Sequence, residues 1–536
     1  MGARLVFLFQ KHLLNSKLNI LLLFSAVFLL QCFYSISQKS IGWDEPKHLS
    51  SGLVYATYGD LSYGRDSTPV TALSALPLLF LDTRAIDFFQ PMPDYLRVYH
   101  EPEHYQPWNA GHHFLKVNRR HYDTFIVLAK LPFILLGLLL GFYVFFWADL
   151  FSRKGAVFAV FFYCFSPNIL AHSRFIGTDL ALALGLVASL FHFQQLLSGR
   201  TMGRLAAFIA AVSFCFIAKL NAPIYLMLVL LPLAIYFLIK KKYQPVAYVA
   251  GGLLAGLLVL NLFSGFAGTF NSLKKGKWQS ATMQGLSTMP LLKSLPLPLP
   301  QSYVNAIDYT LKIKPENTHY KFLFGAFSRD GWWFYFLLAT LVKVTLPTII
   351  LLLLLAFLRP RAGRLQLYLL LAPVVLVYAF PSFFYQLNIG YRYVLAALPF
   401  FFILIGMLWQ LEARWLRRTL LGLGAWHLLA SLLIAPSYSS FFNLSIGGPK
   451  NGHRYLLNSN LGWGENTREA NRYRRQYRPQ RPDPFKKSNG HFMILAEKLM
   501  HSDRYPFGPI PGWYDWLKLI EPTDHIGYEY LIYKIE

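Results

Sequence analysis

The sequence predicts an α-helical polytopic membrane protein, and three observations lead to this prediction. Of the 536 residues, 55% are hydrophobic and only 14% are charged, whereas soluble domains carry roughly 25% charged residues. The mean hydropathy is +0.37. The apolar residues fall in runs of about 18–25 residues, long enough to cross a hydrocarbon core of about 30 Å. A soluble enzyme, a disulfide-rich secreted scaffold and a disordered chain are therefore excluded.

The apolar runs predict a bundle of about 11 transmembrane helices. They cover residues 19–38, 124–150, 155–172, 178–197, 204–221, 223–239, 246–264, 332–358, 365–385, 392–411 and 418–436. The first run is longer than the apolar core of a signal peptide, and no small-residue cleavage site follows it. We therefore interpret it as the first transmembrane helix.

Lysine and arginine mark one side of the membrane, in a chain whose formal net charge is +25. The short connections after alternate helices are basic and almost free of acids; they lie at 153–154, 200–204, 240–242, 359–364 and 414–418. By the positive-inside rule these connections and the N-terminal segment are predicted to be cytoplasmic. The chain is thus expected to be a multi-pass protein of a bacterial inner membrane, with its active site facing the periplasm.

Three long segments are predicted on the outer side: a first outer loop at 39–123, a middle outer loop at 265–331 and the C-terminal region. Residues 1–436 are expected to form the transmembrane domain and residues 437–536 a small α+β outer domain. Alternating apolar residues at 527–535 predict a strand in that domain. The apolar stretch at 69–81 is too short to span and predicts a helix lying in the membrane interface.

The cysteines argue against a disulfide framework, and the distribution of the basic residues argues against a nucleic-acid partner. Cys32, Cys164 and Cys215 all lie in apolar stretches, which predicts small buried side chains and no disulfide framework. The basic residues are not gathered on one soluble module, so nucleic acid is not an expected partner. Contact with anionic membrane lipids is expected instead.

Acidic residues at the outer membrane boundary are the first candidates for chemistry. Asp44 and Glu45 follow the first predicted helix, and Asp179 lies at the start of another. A carboxylate at this depth is costly unless it is paired or used, and one could act as a general base that takes a proton from an acceptor hydroxyl. The structural alternatives are a solvated helix end for Asp44 and Glu45 and a helix N-cap for Asp179.

Cationic residues on the same side form a second group of candidates. Arg174 lies in one turn with His172, Lys343 lies within an apolar run, and Arg392 begins another run. A lysine inside an apolar helix needs an anionic partner. The phosphate of a polyprenyl phosphate at headgroup level would supply it, and arginine suits phosphate by bidentate geometry. Snorkelling to lipid headgroups is the alternative.

The first outer loop contains a short pattern that is typical of metal binding. His100-Glu101-Pro102-Glu103-His104 matches the H-E-x-x-H pattern of zinc proteases, which needs both histidines on one face of a helix. Pro102 in the middle breaks such a helix, so no protease is predicted and no metal ligand is assigned. A divalent metal held by some of His100, His104, His112 and His113 stays an open alternative, and no other cofactor is predicted.

The order of these motifs resembles the GT-C glycosyltransferases, the fold class of dolichyl-phosphate-mannose–protein mannosyltransferases and bacterial aminoarabinose transferases. The resemblance covers most of the chain. It rests on Asp44-Glu45, the run 166–172, Thr178-Asp179, Lys343 with Leu346-Pro347, Gly390-x-Arg392-Tyr393, residues 459–464 and residues 512–514. The chain departs from its relatives at two motifs. Where they often read S-N-L-D-W-G-Q-D, it has Gly462 for the first Asp and Glu465-Asn466 for Gln-Asp, and a P-E-H-P-P-L motif is replaced by residues 65–70.

The resemblance implies a GT-C-like bundle and an enzyme that moves a sugar from a polyprenyl-phosphate donor to a hydroxyl of a glycan, lipid or protein acceptor, with inversion. It implies Asp44 as general base, with Glu45 or Asp179 orienting the substrates. Arg392, Lys343 and Arg174 would hold the donor phosphate. The expected substrate-binding residues are His172, Asp66, Tyr393, Asn460 and Trp463. Two alternatives stay open: a catalytically inactive binding or assembly protein, and a lipid-linked glycan ligase or polymerase.

Overall fold

The computed structural model describes residues 17–64, 68–81, 106–316, 320–385, 387–500 and 510–536. The first half of these contains helices α1 (Lys17–Gln38), α2 (Glu45–Tyr58), α3 (Gln106–Val117), α4 (Tyr122–Asp149), α5 (Arg153–Cys164), α6 (Pro167–Ser173), α7 (Asp179–Ser198), α8 (Met202–Ala218), α9 (Ala222–Ile239) and α10 (Tyr243–Phe263). The second half contains α11 (Ala281–Thr288), α12 (Gln301–Glu316), α13 (Tyr335–Lys343), α14 (Leu346–Leu358), α15 (Arg364–Phe380), α16 (Leu398–Gly406), α17 (Arg414–Ile434), α18 (Thr467–Tyr477), α19 (Ala496–Met500) and α20 (Asp515–Lys518).

The predicted membrane protein of long apolar helices is confirmed, but the count of eleven spans is not. Among the described residues, seven helices are long and apolar enough to cross a membrane, and up to nine if each of two bent pairs forms one span. Helices occupy all eleven predicted runs. Helix α8 has only 17 residues, and α17 begins with three arginines within its first five residues. Helices α8 and α17 are therefore the two predicted spans that are not among these seven to nine.

Two predicted spans are wrong as continuous helices. The run at 155–172 is divided into α5 and α6, which meet at an angle of 63°, and the run at 332–358 is divided into α13 and α14, which meet at 115°. Each second helix has a proline in its first turn, Pro167 or Pro347. Proline lacks an N–H and its ring clashes with the preceding turn, which kinks or breaks a helix. The carbonyl of Lys343 that Pro347 leaves unbonded accepts a hydrogen bond from Asn168 Nδ2 at 2.7 Å.

The two most deeply buried spans form the centre of the bundle. These are α7 and the segment Tyr391–Gln410, in which the 3-10 turns Tyr391–Ala397 and Met407–Gln410 flank α16. Since successive spans alternate in direction, both begin at the same end of the bundle, where α1 and α8 finish. The basic connections between α4 and α5, α7 and α8, and α9 and α10 lie at the other end. Asp179 and Arg392 are therefore brought to one end by the chain direction alone.

Short helices cover the end of the bundle where α1 finishes. Helix α2 packs on α3 and on the 3-10 turn Pro69–Ser74, which forms with Leu78–Phe80 the short apolar segment predicted at 69–81. The packing is close because a Cβ on Gly52 would lie 2.4 Å from the Thr71 carbonyl oxygen, and one on Gly111 would lie 2.0 Å from that of Pro46. Larger residues at either glycine would push the helices apart.

The C-terminal region has the predicted α+β character. Strands β1 (Lys321–Leu323) and β2 (Ala326–Ser328) form a hairpin before it, and β3 (Gly490–Leu495), β4 (Asp524–Ile526) and β5 (Tyr530–Ile535) form an antiparallel sheet in the order β3-β5-β4. The strand predicted at 527–535 begins three residues later, because Gly527 and Tyr528 have positive φ and form a turn. Leu531 and Tyr533 belong to the same buried apolar cluster as the membrane helices. The domain boundary at 436 stays a prediction.

Candidate active site at one end of the bundle

Asp44 and Arg392 form an ion pair at the end of the bundle where α1 finishes. Asp44 precedes the first turn of α2, and its Oδ2 accepts a hydrogen bond from Arg392 Nη1 at 2.9 Å. Both side chains are partly exposed, by 19% and 15%. The Arg392 guanidinium carbon lies 4.2 Å from the ring centroid of Trp463, and its Nε has no hydrogen-bond partner among the described residues. The stacked guanidinium therefore keeps donor capacity for an anion.

A second ion pair lies beside the first. Lys219, just after α8, donates a hydrogen bond of 2.5 Å to Oδ1 of Asp179, the first residue of α7. Lys219 Nζ lies 5.6 Å from the ring centroid of Tyr393, and the guanidinium carbon of Arg392 lies 5.2 Å from the same ring. Asp179 also interacts electrostatically with Arg392 and His172. We call Asp44, Asp179, Lys219 and Arg392 the charge cluster.

The charge cluster has the composition expected of a phosphate and sugar site. It contains two carboxylates and two cations, and aromatic rings from Tyr393 and Trp463 lie against the cations. His172 lies at the edge of this group, with its ring 5.8 Å from that of Phe175. Phe175 in turn contacts Trp463 edge-on at 5.3 Å. The sequence-predicted residues Asp44, Asp179, Arg392, Tyr393, His172 and Trp463 are thus brought together.

Glu45 is not part of the charge cluster. Its side chain is 1% exposed, and its Oε2 lies 3.0 Å from Lys130 Nζ. The same carboxylate accepts hydrogen bonds from the backbone N–H of Gly42 at 2.5 Å and of Ile176 at 2.8 Å. A carboxylate with all these partners joins the segment before Asp44 to the turn before Asp179. This placement favours a positioning role over the predicted catalytic one.

Arg174 and Lys343, two of the three predicted phosphate ligands, are buried in protein contacts. Arg174 Nη2 lies 2.6 Å from Glu465 Oε2, and neither side chain has any exposed surface. Lys343 Nζ donates to the backbone carbonyl of Ser439 at 2.8 Å and to that of Asn460 at 2.6 Å. Of the three predicted phosphate ligands, Arg392 is therefore the one whose side chain is partly exposed.

Asn460, a predicted substrate-binding residue, is fully buried and supports the site from behind. Its Oδ1 accepts a hydrogen bond of 2.8 Å from the backbone N–H of Tyr391, next to Arg392. Its Nδ2 donates to Tyr335 Oη at 2.9 Å. Buried amides with all groups bonded fix the backbone around them. Asn460 thus holds the start of the segment that carries Arg392.

The altered motif at 462–466 has a structural explanation. A Cβ on Gly462 would lie 2.4 Å from Glu529 Oε2 and 2.1 Å from Asn466 Nδ2. Glu529 accepts hydrogen bonds from Gly464 N at 2.7 Å and from Asn466 Nδ2 at 2.9 Å. The Asp that relatives often carry at the position of Gly462 would clash here. The carboxylate of Glu529, in the turn before β5, occupies the space that an Asp side chain at position 462 would fill.

Glu529 gives a testable dependence of stability on pH. Burial raises the pKa of the Glu529 carboxyl above its ordinary value, so the folded chain holds this proton more tightly than the unfolded chain. This group then favours folding at low pH, and the contribution is lost as the pH rises through the interval between the two pKa values. We expect Glu529→Gln to flatten the fall in melting temperature as the pH rises above the ordinary glutamate pKa of about 4.3. An equal slope in wild type and variant, measured in detergent by thermal unfolding, would refute this assignment.

Some predicted residues lie outside the described ranges. These are Asp66, which was expected to bind substrate, and His100 and His104, which were considered as metal ligands. In the described part of the chain there is no group of three or more His, Cys, Asp and Glu side chains arranged for a metal ion.

Sequence reasoning missed Lys219, the partner of Asp179. The run 204–221 places this lysine inside a predicted helix, whereas α8 ends at Ala218 and Lys219 lies in the tight turn to α9. The available signal was the rule applied to Lys343, that a lysine in an apolar run needs an anionic partner. Lys130, the partner of Glu45, carries the same signal within α4.

Comparison with known proteins gives two similar structures. No protein-family model and no curated protein matches the chain. The crystal structure of ArnT from Cupriavidus metallidurans bound to undecaprenyl phosphate is 15% identical, with a TM-score of 0.48 over 79% of this chain and 72% of that chain. The apo state of the same protein is 15% identical, with a TM-score of 0.41 over 78% and 69%. ArnT is an aminoarabinose transferase, of the class that the sequence motifs resemble.

Proposed function

We propose that the protein is a membrane glycosyltransferase that moves a sugar from a polyprenyl-phosphate donor to an acceptor hydroxyl, with Asp44 as general base. The observation that carries the proposal is the contact of Asp44 with Arg392. It places a candidate base beside a stacked, partly exposed cation that suits a phosphate. The pair of Asp179 and Lys219 adds a second carboxylate and a second cation to the same place.

The proposed reaction is a single displacement. The acceptor oxygen attacks the anomeric carbon while the bond from that carbon to the phosphate oxygen breaks. The polyprenyl phosphate leaves with the bonding electron pair, and the acceptor proton passes to the Asp44 carboxylate. Because the nucleophile enters opposite the leaving group, the anomeric configuration inverts. Arg392 and Lys219 stabilise the charge that develops on the phosphate, and Asp179 orients the sugar or the acceptor.

Donor binding would also release the base. While Arg392 donates its hydrogen bond to Oδ2 of Asp44, that oxygen is occupied and is not free to receive the proton of an acceptor hydroxyl. A phosphate offers Arg392 a better, bidentate partner. The donor would therefore take Arg392 from Asp44 and leave the carboxylate free to accept the proton. This exchange couples activation of the base to the presence of the donor.

The charge distribution supports the orientation predicted from the sequence. The basic connections lie at the end of the bundle opposite the charge cluster, and the positive-inside rule places that end in the cytoplasm. The site then faces the outer side of the membrane, as the periplasmic face of a bacterial inner membrane. A polyprenyl-phosphate donor would have to reach the same leaflet.

The proposal is tested by donor turnover and donor binding. Protein in nanodiscs is incubated with a panel of labelled undecaprenyl-phosphate sugars and a membrane lipid extract, and release of undecaprenyl phosphate is counted. We expect one donor to be turned over and Arg392→Ala to weaken its binding about 10- to 100-fold, because a hydrogen bond to a charged group is lost. Arg454→Ala is the matched control, because Arg454 is also paired with a carboxylate, at 2.7 Å from Glu521, outside the cluster.

Three results would contradict the proposal. A donor that binds in an Arg392-dependent manner but is never turned over would indicate an inactive binding protein with the same fold. Turnover in which a whole lipid-linked glycan is transferred or extended would indicate a ligase or polymerase. Equal loss of binding in Arg392→Ala and Arg454→Ala would show that the cluster is not the donor site.

A further inference from the structure

A cavity lies at the end of the bundle where α1 finishes, apart from the charge cluster. Its volume is about 370 Å³, and it lies between the end of α1, the end of α17 and the start of α18. The turn before β5 closes it on the remaining side. Neither Asp44, Asp179, Lys219 nor Arg392 lines it. The reaction proposed above makes no use of this space.

The lining of this cavity carries an excess of positive charge. Lys39, Arg468 and Arg472 line it, against the single carboxylate of Glu469. Lys39 Nζ donates to Ser437 Oγ at 2.7 Å and to Asn466 Oδ1 at 2.6 Å, and it lies 3.8 Å from Glu469. Arg468 is paired with Asp123. Arg472 forms no ion pair with any residue that the structure describes.

Burial of Lys39 raises the free-energy cost of its ammonium charge. Burial lowers the pKa of Lys39, and the carboxylates of Glu465 and Glu469 act in the opposite direction. An anion in the cavity would add to the effect of those carboxylates and stabilise the ammonium form. The charge balance of the lining therefore favours an anionic occupant.

The apolar wall of the cavity is continuous with the bilayer-facing surface of two helices. Tyr34 of α1 and Leu433 of α17 line the cavity and are 53% and 73% exposed. Below them, Leu30 of α1 and Leu429 of α17 are also exposed. Both helices lie in apolar runs of the sequence, and a continuous patch of large exposed apolar side chains is typical of a surface that contacts a membrane. A lipid with its chains against these helices would place its headgroup at the level of the cavity.

We propose that this cavity binds the phosphate-bearing headgroup of an anionic membrane lipid, at a site separate from that of the sugar donor. The basic side chains receive the phosphate, and the exposed faces of α1 and α17 receive the acyl chains. This inference does not rest on the proposed transferase activity. Two short segments, 39–44 and 463–468, join the cavity to Asp44 and Trp463, so an occupied headgroup site would steady the backbone on both sides of the charge cluster.

The test compares two arginines of the same helix. Arg472 lines the cavity, whereas Arg475 of α18 does not and donates from Nε to the Asn471 carbonyl. Detergent-purified protein without any donor is titrated with short-chain phosphatidylglycerol, short-chain phosphatidylcholine or inorganic phosphate, and bound ligand is counted by native mass spectrometry. We expect saturable binding of phosphatidylglycerol alone. Arg472→Ala should weaken it about five-fold, and Arg475→Ala should leave it unchanged.

Each other outcome overturns the proposal. Equal weakening by both variants would indicate diffuse attraction to a basic helix and no defined site. Phosphatidylcholine binding as tightly as phosphatidylglycerol would remove the role of the anionic headgroup. Inorganic phosphate binding in an Arg472-dependent manner, with no gain from the acyl chains, would make this a site for free phosphate. Because no donor is present, none of these results depends on whether the charge cluster transfers a sugar.

Discussion

Replacing Asp44 with asparagine should lower the rate of sugar transfer by a factor of about 10²–10⁴ while the donor still binds. Asparagine has nearly the same shape and can still accept a hydrogen bond from Arg392 through its amide oxygen, so the local packing is kept. It cannot take a proton from the acceptor. Donor affinity should be at least that of the wild type, because Arg392 no longer has a charged partner that competes with the phosphate.

The measurement separates these two effects. Single-turnover release of undecaprenyl phosphate gives the rate of the chemical step, and equilibrium binding of the labelled donor gives its affinity. Asp123→Asn is the matched control, since Asp123 also pairs with an arginine, Arg468, but its side chain is 77% exposed. Transfer by Asp44→Asn at the wild-type rate would exclude Asp44 as the base. Loss of donor binding together with transfer would indicate that Asp44 acts in binding.

Replacing Arg174 with methionine should destabilise the protein by about 3–5 kcal/mol, the largest stability effect that we expect. The change leaves the Glu465 carboxylate fully buried without its cation. Adding Glu465→Gln to Arg174→Met should restore much of this loss, because the double variant buries no unpaired charge at this place. Unfolding in mixed micelles would give both free energies.

A surface pair provides the comparison for this experiment. Asp515 lies 3.0 Å from Lys518, and its side chain is 65% exposed. Exposed pairs contribute less than about 1 kcal/mol, so Asp515→Asn should have little effect on the free energy of unfolding. If Arg174→Met instead folds with wild-type stability and loses only donor binding, the sequence-based prediction of Arg174 as a phosphate ligand is right and the structural role is wrong.

Hydropathy was enough to predict the class of fold, and the basic connections gave a prediction of which end of the bundle carries the candidate site. Helices occupy every predicted apolar run, although two of the runs are each divided into two helices. The basic connections separate the two ends of the bundle. The breaks at Pro167 and Pro347 were not predicted, because proline in a first helical turn and proline at a sharp bend look the same in a hydropathy profile. The angle depends on what receives the freed carbonyl, and for Lys343 that partner is Asn168, far away in the chain.

The site was predicted in part for similar reasons. Asp44, Asp179 and Arg392 became candidates because each begins or follows a predicted helix, and the structure brings the three together. From the sequence alone, the neighbours Asp44 and Glu45 are equally good candidates for a catalytic carboxylate. The packing distinguishes them, because Glu45 is buried against Lys130. The carboxylate beside Gly462 comes from Glu529, and no local pattern connects these positions. Partners that are distant in sequence decide which charged residues are structural.

The hydrogen bond from Asn168 to the Lys343 carbonyl joins two distant stretches of the chain. In a chimera with a relative, both stretches would have to be exchanged together. Asn168 belongs to the broken helix α5–α6, and Lys343 to the broken helix α13–α14. A chimera that took α5–α6 from a relative with a straight helix would leave the Lys343 carbonyl without its donor. A chimera that took α13–α14 from such a relative would leave the Asn168 amide without its acceptor. During divergence, loss of Pro347 would give the Lys343 carbonyl an N–H partner within its own helix and remove the need for the amide. Relatives should therefore carry both irregularities or neither, and hybrid sequences should be rare among functional proteins.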